Sequence, residues 1–479
     1  MLASVEQDER SERLIGLLSS GGDARIALDP ESGLNRYFSA PYPRRTLAYA
    51  SSTANDLSPE AFVHLRGVLE SGTTGYAVQL EALRARIRAA YGLGDEVEVV
   101  FAASGTDLEY VALAAALGKA PGGIHNILLG ADEVGSGCIH SAHGRYFAGE
   151  TPLGLATRPG DPVAGFGAVS LADVAVRDGD GRAHSSHEIA ADIEAEIVKA
   201  HAARQHPLVH VVHGSKTGLI LPEPDELAML AARFGGTVEF VVDACQARIT
   251  IAALQQYLAL GAMVFLTGSK FMGGPPFNGF ALVPRAMVEQ AAPLPAGLAS
   301  IFRRAEFPDD WPGREQLPEG ENPGLALRYE ASVFELERFQ RLPLEAVAAL
   351  LDRFEAALVD EIVARLGLGL VRPYAMGAED EPREHPIEMR TLATLDVSTL
   401  AATPGFDDAQ RLHRQLALNG LRLGQPVKCV RRNGGWGGTL RIGLSMPQVV
   451  RLCAATPEDA AASLRADMRL VAEALAAAT

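Results

Sequence analysis

The stretch from residue 237 to residue 280, TVEFVVDACQARITIAALQQYLALGAMVFLTGSKFMGGPPFNGF, constrains the fold of this chain more than any other. Thr237 to Val242 is an apolar, β-branched run that reads as a buried strand ending at Asp243. A helical stretch follows, then a second apolar run, Met263 to Leu266, that runs into Thr267-Gly268-Ser269-Lys270. Two strands of one parallel sheet, joined by a crossover helix, bring Asp243 and Lys270 to the same sheet edge. In open α/β sheets that carboxyl edge is where ligands sit. Taken singly, each residue reads as an ordinary strand-terminal acid or a solvated surface lysine. An acid, a glutamine three residues on, a Thr-Gly-Ser-Lys and a Gly-Gly-Pro-Pro turn together are far less ordinary.

An acid and a lysine at one sheet edge suit pyridoxal phosphate. The lysine amine forms a Schiff base with the aldehyde, and a carboxylate facing the pyridine nitrogen keeps it protonated, so that the ring withdraws electrons. The segment resembles fold-type I pyridoxal-phosphate enzymes, and within them the class V aminotransferase and cysteine desulfurase group. Asp243-Ala244-Cys245-Gln246 matches the group's Asp-Ala-x-Gln pattern. Thr267-Gly268-Ser269-Lys270 matches its Ser-x-His-Lys pattern, with Thr for Ser and Ser269 in place of the usual His. The resemblance covers roughly residues 50 to 450, by element order more than by identity.

Composition agrees with a large soluble enzyme. The 479 residues suffice for two packed domains, and 48% hydrophobic with 21% charged residues is ordinary globular usage. A net charge of −16 disfavours nonspecific nucleic acid or anionic membrane binding. Cys138, Cys245, Cys429 and Cys453 are scattered, which predicts neither a disulfide framework nor a zinc site. The polar, acidic start is unlike a secretory signal, and no apolar run approaches membrane-spanning length, so a cytoplasmic location is expected.

In chain order, residues 1–45 read as an N-terminal arm, 46–340 as the large cofactor domain and 341–479 as a small α+β domain. The large domain is expected to hold a mostly parallel sheet of the seven-stranded type between helices. Val97 to Ala102 followed by Ser104-Gly105-Thr106 and a helix from Asp107 is a phosphate cradle: amides and the positive helix end face the anion, and hydroxyls add donors. The resemblance assigns Ser104, Gly105 and Thr106 to the cofactor phosphate. It also implies a ring stacked on the pyridine, with His140 as candidate and His143 as alternative. It places Ser215, shared with Gln246, near the phenolic oxygen, and makes Asp243, Gln246 and Thr267 cofactor ligands. Residues 151–186, with Asp178-Gly179-Asp180-Gly181 at their turn, read as a β-hairpin insertion. Lys216 reads as a surface residue. Asn322 and Arg328 are possible phosphate contacts, and Arg441, in Thr439-Leu440-Arg441-Ile442-Gly443-Leu444-Ser445, is expected to grip the substrate carboxylate with its planar fork.

The resemblance implies external aldimine formation with a small L-amino acid and Lys270 as general base, in a homodimer with interfacial sites. An aminotransferase leads. Lyase chemistry (Cα–Cβ cleavage, β-elimination or desulfuration) stays open, although Cys429, in what reads as a hairpin strand, is expected to be structural. From a different class, a phosphate-ligand-binding α/β protein would use the Ser104 cradle without needing Lys270.

Overall fold

The computed structural model describes residues 9–72, 74–130, 133, 138–371, 390–432 and 434–477. Asp132, residues 134–137, Met389 and Asn433 lie outside these. The strands are β1 (Leu47–Tyr49), β2 (Val97–Ala102), β3 (Ile124–Leu129), β4 (Val169–Val174), β5 (His206–His213), β6 (Ile220–Leu221), β7 (Glu239–Asp243), β8 (Met263–Thr267) and β9 (Gly279–Pro284). They continue with β10 (Gly369–Val371), β11 (Leu392–Asp396), β12 (Leu421–Leu423), β13 (Arg431–Arg432), β14 (Gly435–Trp436) and β15 (Thr439–Gly443).

The main sheet runs β2-β9-β8-β7-β5-β3-β4, with β6 paired to β5. Its centre is parallel, and β9 runs antiparallel between β2 and β8. Every residue of β2, β3, β5 and β8 is buried, as expected for strands covered by helices on both faces. Two clusters of apolar side chains, one on each face, contain Val99, Val209 and Val242 on one side and Val100, Leu208 and Val241 on the other. That alternation is the period-two signature of strands packed on both faces.

One expectation changes here. Residues 169–174 are not the arm of a hairpin but the sheet's edge strand β4, parallel to β3. Only the tip is hairpin-like: Arg177 bridges Ala183, and Asp178 Oδ1 accepts from the amides of Asp180 and Arg182. The C-terminal part carries the antiparallel sheet β10-β11-β15. It is tied back to the start of the chain, since β1 pairs in parallel with β12 and Ala50 bridges Gly443.

The arm is fastened to its own chain. Leu14 and Leu18, on the helix Glu9–Leu18, bury against Phe62, Leu65, Leu327 and Ala331. Arg328, on the long helix Pro323–Gln340, lies fully buried and donates to the carbonyls of Leu18, Ser20, Gly21 and Phe277. Burial pulls its guanidinium down to about 10. Asn322 caps the same helix through Leu325 N and donates to Gly21 O. Both residues therefore latch the arm to the long helix.

Replacing Arg328 with Met should remove about 2–4 kcal/mol of stability, since charged hydrogen bonds to several buried carbonyls go at once. It should also open residues 9–45 to limited proteolysis, measured on the folded protein at low protease. His413 gives a pH prediction. Burial holds it down at about 4, although its ring meets Leu423 O at 3.0 Å. The unfolded chain takes up this proton near pH 6.5, before the folded one does, so its contribution is intact above that pH and fades as pH falls towards about 4, at about 1.4 kcal/mol per unit. Denaturant titrations of His413→Asn should show a shallower acid limb than the parent.

Candidate active site

The carboxyl ends of β5, β7 and β8, with the turns after β2 and β3, open into one cavity of about 390 Å³. Ser104, Gly105, Thr106, Ser215, Asp243, Gln246, Thr267, Lys270 and Arg441 line it, whereas His140, His143, Asn322 and Arg328 do not. The parallel pairing of β7 with β8 sets Asp243 opposite Phe265, so Thr267 and Lys270 follow at the same edge. Asp243 Oδ1 accepts from the amide of Cys245 at 2.9 Å, which fixes the carboxylate. Thr267 Oγ1 donates to Cys245 O at 2.6 Å, locking the two strand ends together. Asn55 holds the lysine turn, donating to Lys270 O at 2.6 Å and Ser269 O at 3.0 Å. Gln246 donates to Ser52 O, while its buried Oε1 has no hydrogen-bond partner among the described residues.

At the turn after β2, Ser104, Gly105 and Thr106 lead into the helix Leu108–Ala116. Space is tight: a Cβ at Gly105 would meet Thr267 Cγ2 at 2.9 Å. The Ser104 hydroxyl does not point freely at the cavity but donates to Asp107 Oδ2 at 2.6 Å. Burial pushes Asp107 up to about 6, against the pull of Ser104 and Arg25. Arg25 reaches this end of the cavity from the arm, paired with both oxygens of Asp23 and set 4.5 Å over the Phe277 ring. Phe277 and Ala247 hold positive φ (74° and 57°), backbone strain of the kind that concentrates at functional sites.

The loop after β5 departs from expectation. The Ser215 hydroxyl donates to Glu133 Oε2 at 2.7 Å, so its hydrogen is already committed. Glu133 also accepts from Thr217 and, at 2.8 Å, from Arg177 Nε of the segment after β4. Burial alone would push this carboxyl up, but Arg177 and the two hydroxyls hold it below the usual carboxylate range. Lys216, expected at the surface, lines the cavity instead. Its amide donates to Glu133 O, and positive-φ glycines at 214 and 218 bracket the turn that carries it inward. Burial, and then the neighbouring Arg441, pulls its ammonium down to about 8.

Arg441 stands on β15 and is 3% exposed. It donates to Gln425 O at 2.7 Å, Lys216 O at 3.2 Å and Thr53 Oγ1 at 3.3 Å, three of the guanidinium's five donors. No carboxylate among the described residues lies within ion-pairing distance of it. Burial pulls it down to about 10, with Glu133 opposing. A desolvated, preoriented guanidinium without an acid of its own is suited to an incoming carboxylate.

His140 is exposed on the short helix Cys138–Ala142, and Cys138, two residues earlier on the inward face, lines the cavity in its place. The rings at the wall are Tyr37, Phe277 and Phe406. Cys429 does not line the cavity, and burial pushes its thiol up to about 12. Its segment is irregular rather than a hairpin strand, held to β15 through the Thr439 hydroxyl and the bridge from Gly424 to Arg441. Sequence reasoning missed Arg25, Tyr37, Thr53, Asn55, Glu133 and Lys428. Each comes from a segment without periodicity, and only the Asp23-x-Arg25 spacing carried any local signal.

No family model matches the chain, and no curated protein matches its sequence. Solved structures do match its fold. A cysteine desulfurase from Thermococcus onnurineus NA1 aligns with a TM-score of 0.53 at 17% identity, over 89% of this chain and 95% of its own. A NifS-like protein aligns with a TM-score of 0.55 at 14% identity, over 89% and 100%. A serine palmitoyltransferase from S. paucimobilis, solved with a pyridoxal phosphate–myriocin aldimine, gives 0.53 at 13% identity, over 98% and 100%. The chain therefore has the fold-type I architecture that the strand–helix order anticipates. Among the described residues no helix is long and apolar enough to cross a membrane.

Proposed function

We propose that the protein is a pyridoxal-phosphate-dependent enzyme acting on a small L-amino acid, of aminotransferase type, working as a homodimer. The observation that carries this reading is the convergence of Asp243, Lys270 and Arg441 on one cavity that also holds the Ser104–Thr106 helix entrance. The wall fits the cofactor: among the described residues Gln246 Oε1 is an orphaned acceptor there, and Gly105 leaves room that a side chain would fill. When bound, the cofactor would supply an electron-withdrawing ring conjugated to the substrate nitrogen.

The chain's own residues do the rest. Ser104, Gly105 and Thr106 would hold the phosphate at the helix N-terminus, and Lys270 would carry the cofactor on its amine. Asp243, fixed by the Cys245 amide, would keep a proton on the ring nitrogen. Arg441 would orient the substrate by its carboxylate, leaving the Cα hydrogen within reach of the Lys270 amine as general base. Desulfuration is the less supported branch, because Cys429 is buried, is not one of the residues lining the cavity, and is held as a thiol by burial.

Purified protein should be yellow or become so on adding pyridoxal phosphate. An L-amino acid with an acceptor 2-oxo acid should yield the exchanged pair, measured by chromatography; release of pyruvate or sulfide without exchange would move the assignment to a lyase. Lys270→Ala should fold and lose turnover by at least about 1000-fold; parent-level turnover would refute the assignment. Arg441→Ala should raise KM by about 10–100-fold, the cost of charged hydrogen bonds to a carboxylate.

A further inference from the structure

The function proposed above gives the N-terminal arm no part, yet the arm supplies Arg25 and Tyr37 to the cavity wall. Arg25 stands at the phosphate-cradle end, because its neighbour Ile26 packs with Phe277 and with Ala103, the residue before Ser104. The guanidinium lies 4.5 Å from the centre of the Phe277 ring and 5.2 Å from that of Phe147, two aromatic faces that attract a cation.

The charge of Arg25 is paired, and the pairing aims it. Asp23 accepts from Nε at 2.9 and 3.0 Å and from Nη2 at 2.7 Å, which occupies one edge of the planar fork. The N–H groups of Nη1 donate to no described residue. Arg25 lines the cavity and Asp23 does not, so the acid holds the guanidinium from behind. Asp107, a second acid at this end, is also off the wall and takes the Ser104 hydroxyl. That hydroxyl is therefore lost to the cradle as a donor. A phosphate dianion at Ser104–Thr106 keeps the amides and the helix end but is short of donors and of positive charge. The free edge of Arg25 offers both.

We propose that Arg25 receives the phosphate of the bound cofactor and turns the arm into a strap across it. The proposal rests on the cofactor reading and adds a phosphate-binding residue and a coupling. Arg328 fastens the carbonyls of Leu18, Ser20 and Gly21, a few residues before Arg25, and also that of Phe277, whose ring lies against Arg25. Fastening the arm and presenting Arg25 thus share one support. Bound phosphate holds the arm down, and the fastened arm tightens the phosphate by the same factor, because such coupling is reciprocal.

The test compares pyridoxal phosphate with pyridoxal, which has the aldehyde but no phosphate. Each is titrated by absorbance into protein stripped of cofactor: the parent, Arg25→Met, Arg25→Lys, and Arg25→Met combined with Asp23→Asn, which leaves no bare acid beside the phosphate. Arg25→Met and the double variant should lose at least about ten-fold in affinity for pyridoxal phosphate and under about three-fold for pyridoxal, with Arg25→Lys between. In parallel, limited proteolysis follows cleavage within residues 9–45. It should slow at least about five-fold when the parent takes up pyridoxal phosphate or inorganic phosphate, but not in chloride of equal ionic strength, and not in Arg25→Met. Equal losses on the two aldehydes, or an arm cut at one rate with and without phosphate, would overturn the proposal. The arm measurement needs only the parent, so a variant that fails to fold leaves the test standing. Cofactor fixed to Lys270 with an affinity indifferent to Arg25 defeats this proposal alone. Arg25-dependent binding of inorganic phosphate in protein that never takes up either aldehyde defeats the cofactor reading and leaves the phosphate site.

Discussion

The register between β7 and β8 is the constraint on which the site depends. A parallel pair cannot slip by one residue without turning every side chain to the opposite face, and both faces here are packed with apolar groups. Asp243 is consequently fixed relative to Thr267, and the Thr267 hydroxyl bonded to Cys245 O adds a direct tie between the strand ends. Lys270 follows in a turn held by Asn55 from a segment more than two hundred residues earlier. Acid and lysine are thereby positioned by the sheet, with little left to the loops.

The second support is the arm. Arg328 joins the arm carbonyls to Phe277, and Phe277 lies under Arg25 at the cavity wall. Arm, long helix and strained Phe277 turn form one continuous contact, so disturbing the arm is felt at the phosphate-cradle end. On the opposite side Arg441 plays a comparable part, bonding to Thr53, Lys216 and Gln425 and so drawing three separate segments of chain around one guanidinium. Among the described residues neither arginine pairs with a carboxylate. Both are stabilised by oriented carbonyls and hydroxyls, and Arg441 differs in facing the cavity.

What was legible in the sequence had a local pattern. β7, β8 and the helix entry after Ser104 follow from apolar runs bounded by small residues; Asp243 ends β7, Lys270 follows β8, and Arg441 stands within the short strand β15. What was illegible depends on distant partners. Ser215 reads as a cofactor donor until Glu133, 82 residues away, takes its hydrogen. Lys216 reads as a surface lysine because nothing nearby reveals that its turn folds inward under Glu133 O. His140 failed for a simpler reason: on a helix of five residues, a shift of two positions from Cys138 turns a side chain from the cavity to solvent. The strand at 169–174 was misread because its half-buried edge alternates like a hairpin arm, and only its pairing with β3 distinguishes the two.

The central claim is that the lysine at the end of β8 is the residue that carries the cofactor. Its most direct test is to treat protein loaded with pyridoxal phosphate with borohydride, digest it and locate the reduced adduct by mass spectrometry. The account predicts a single phosphopyridoxyl group on Lys270. An adduct on Lys216, whose ammonium is pulled down to about 8 in the same cavity, or no adduct at all, would contradict it.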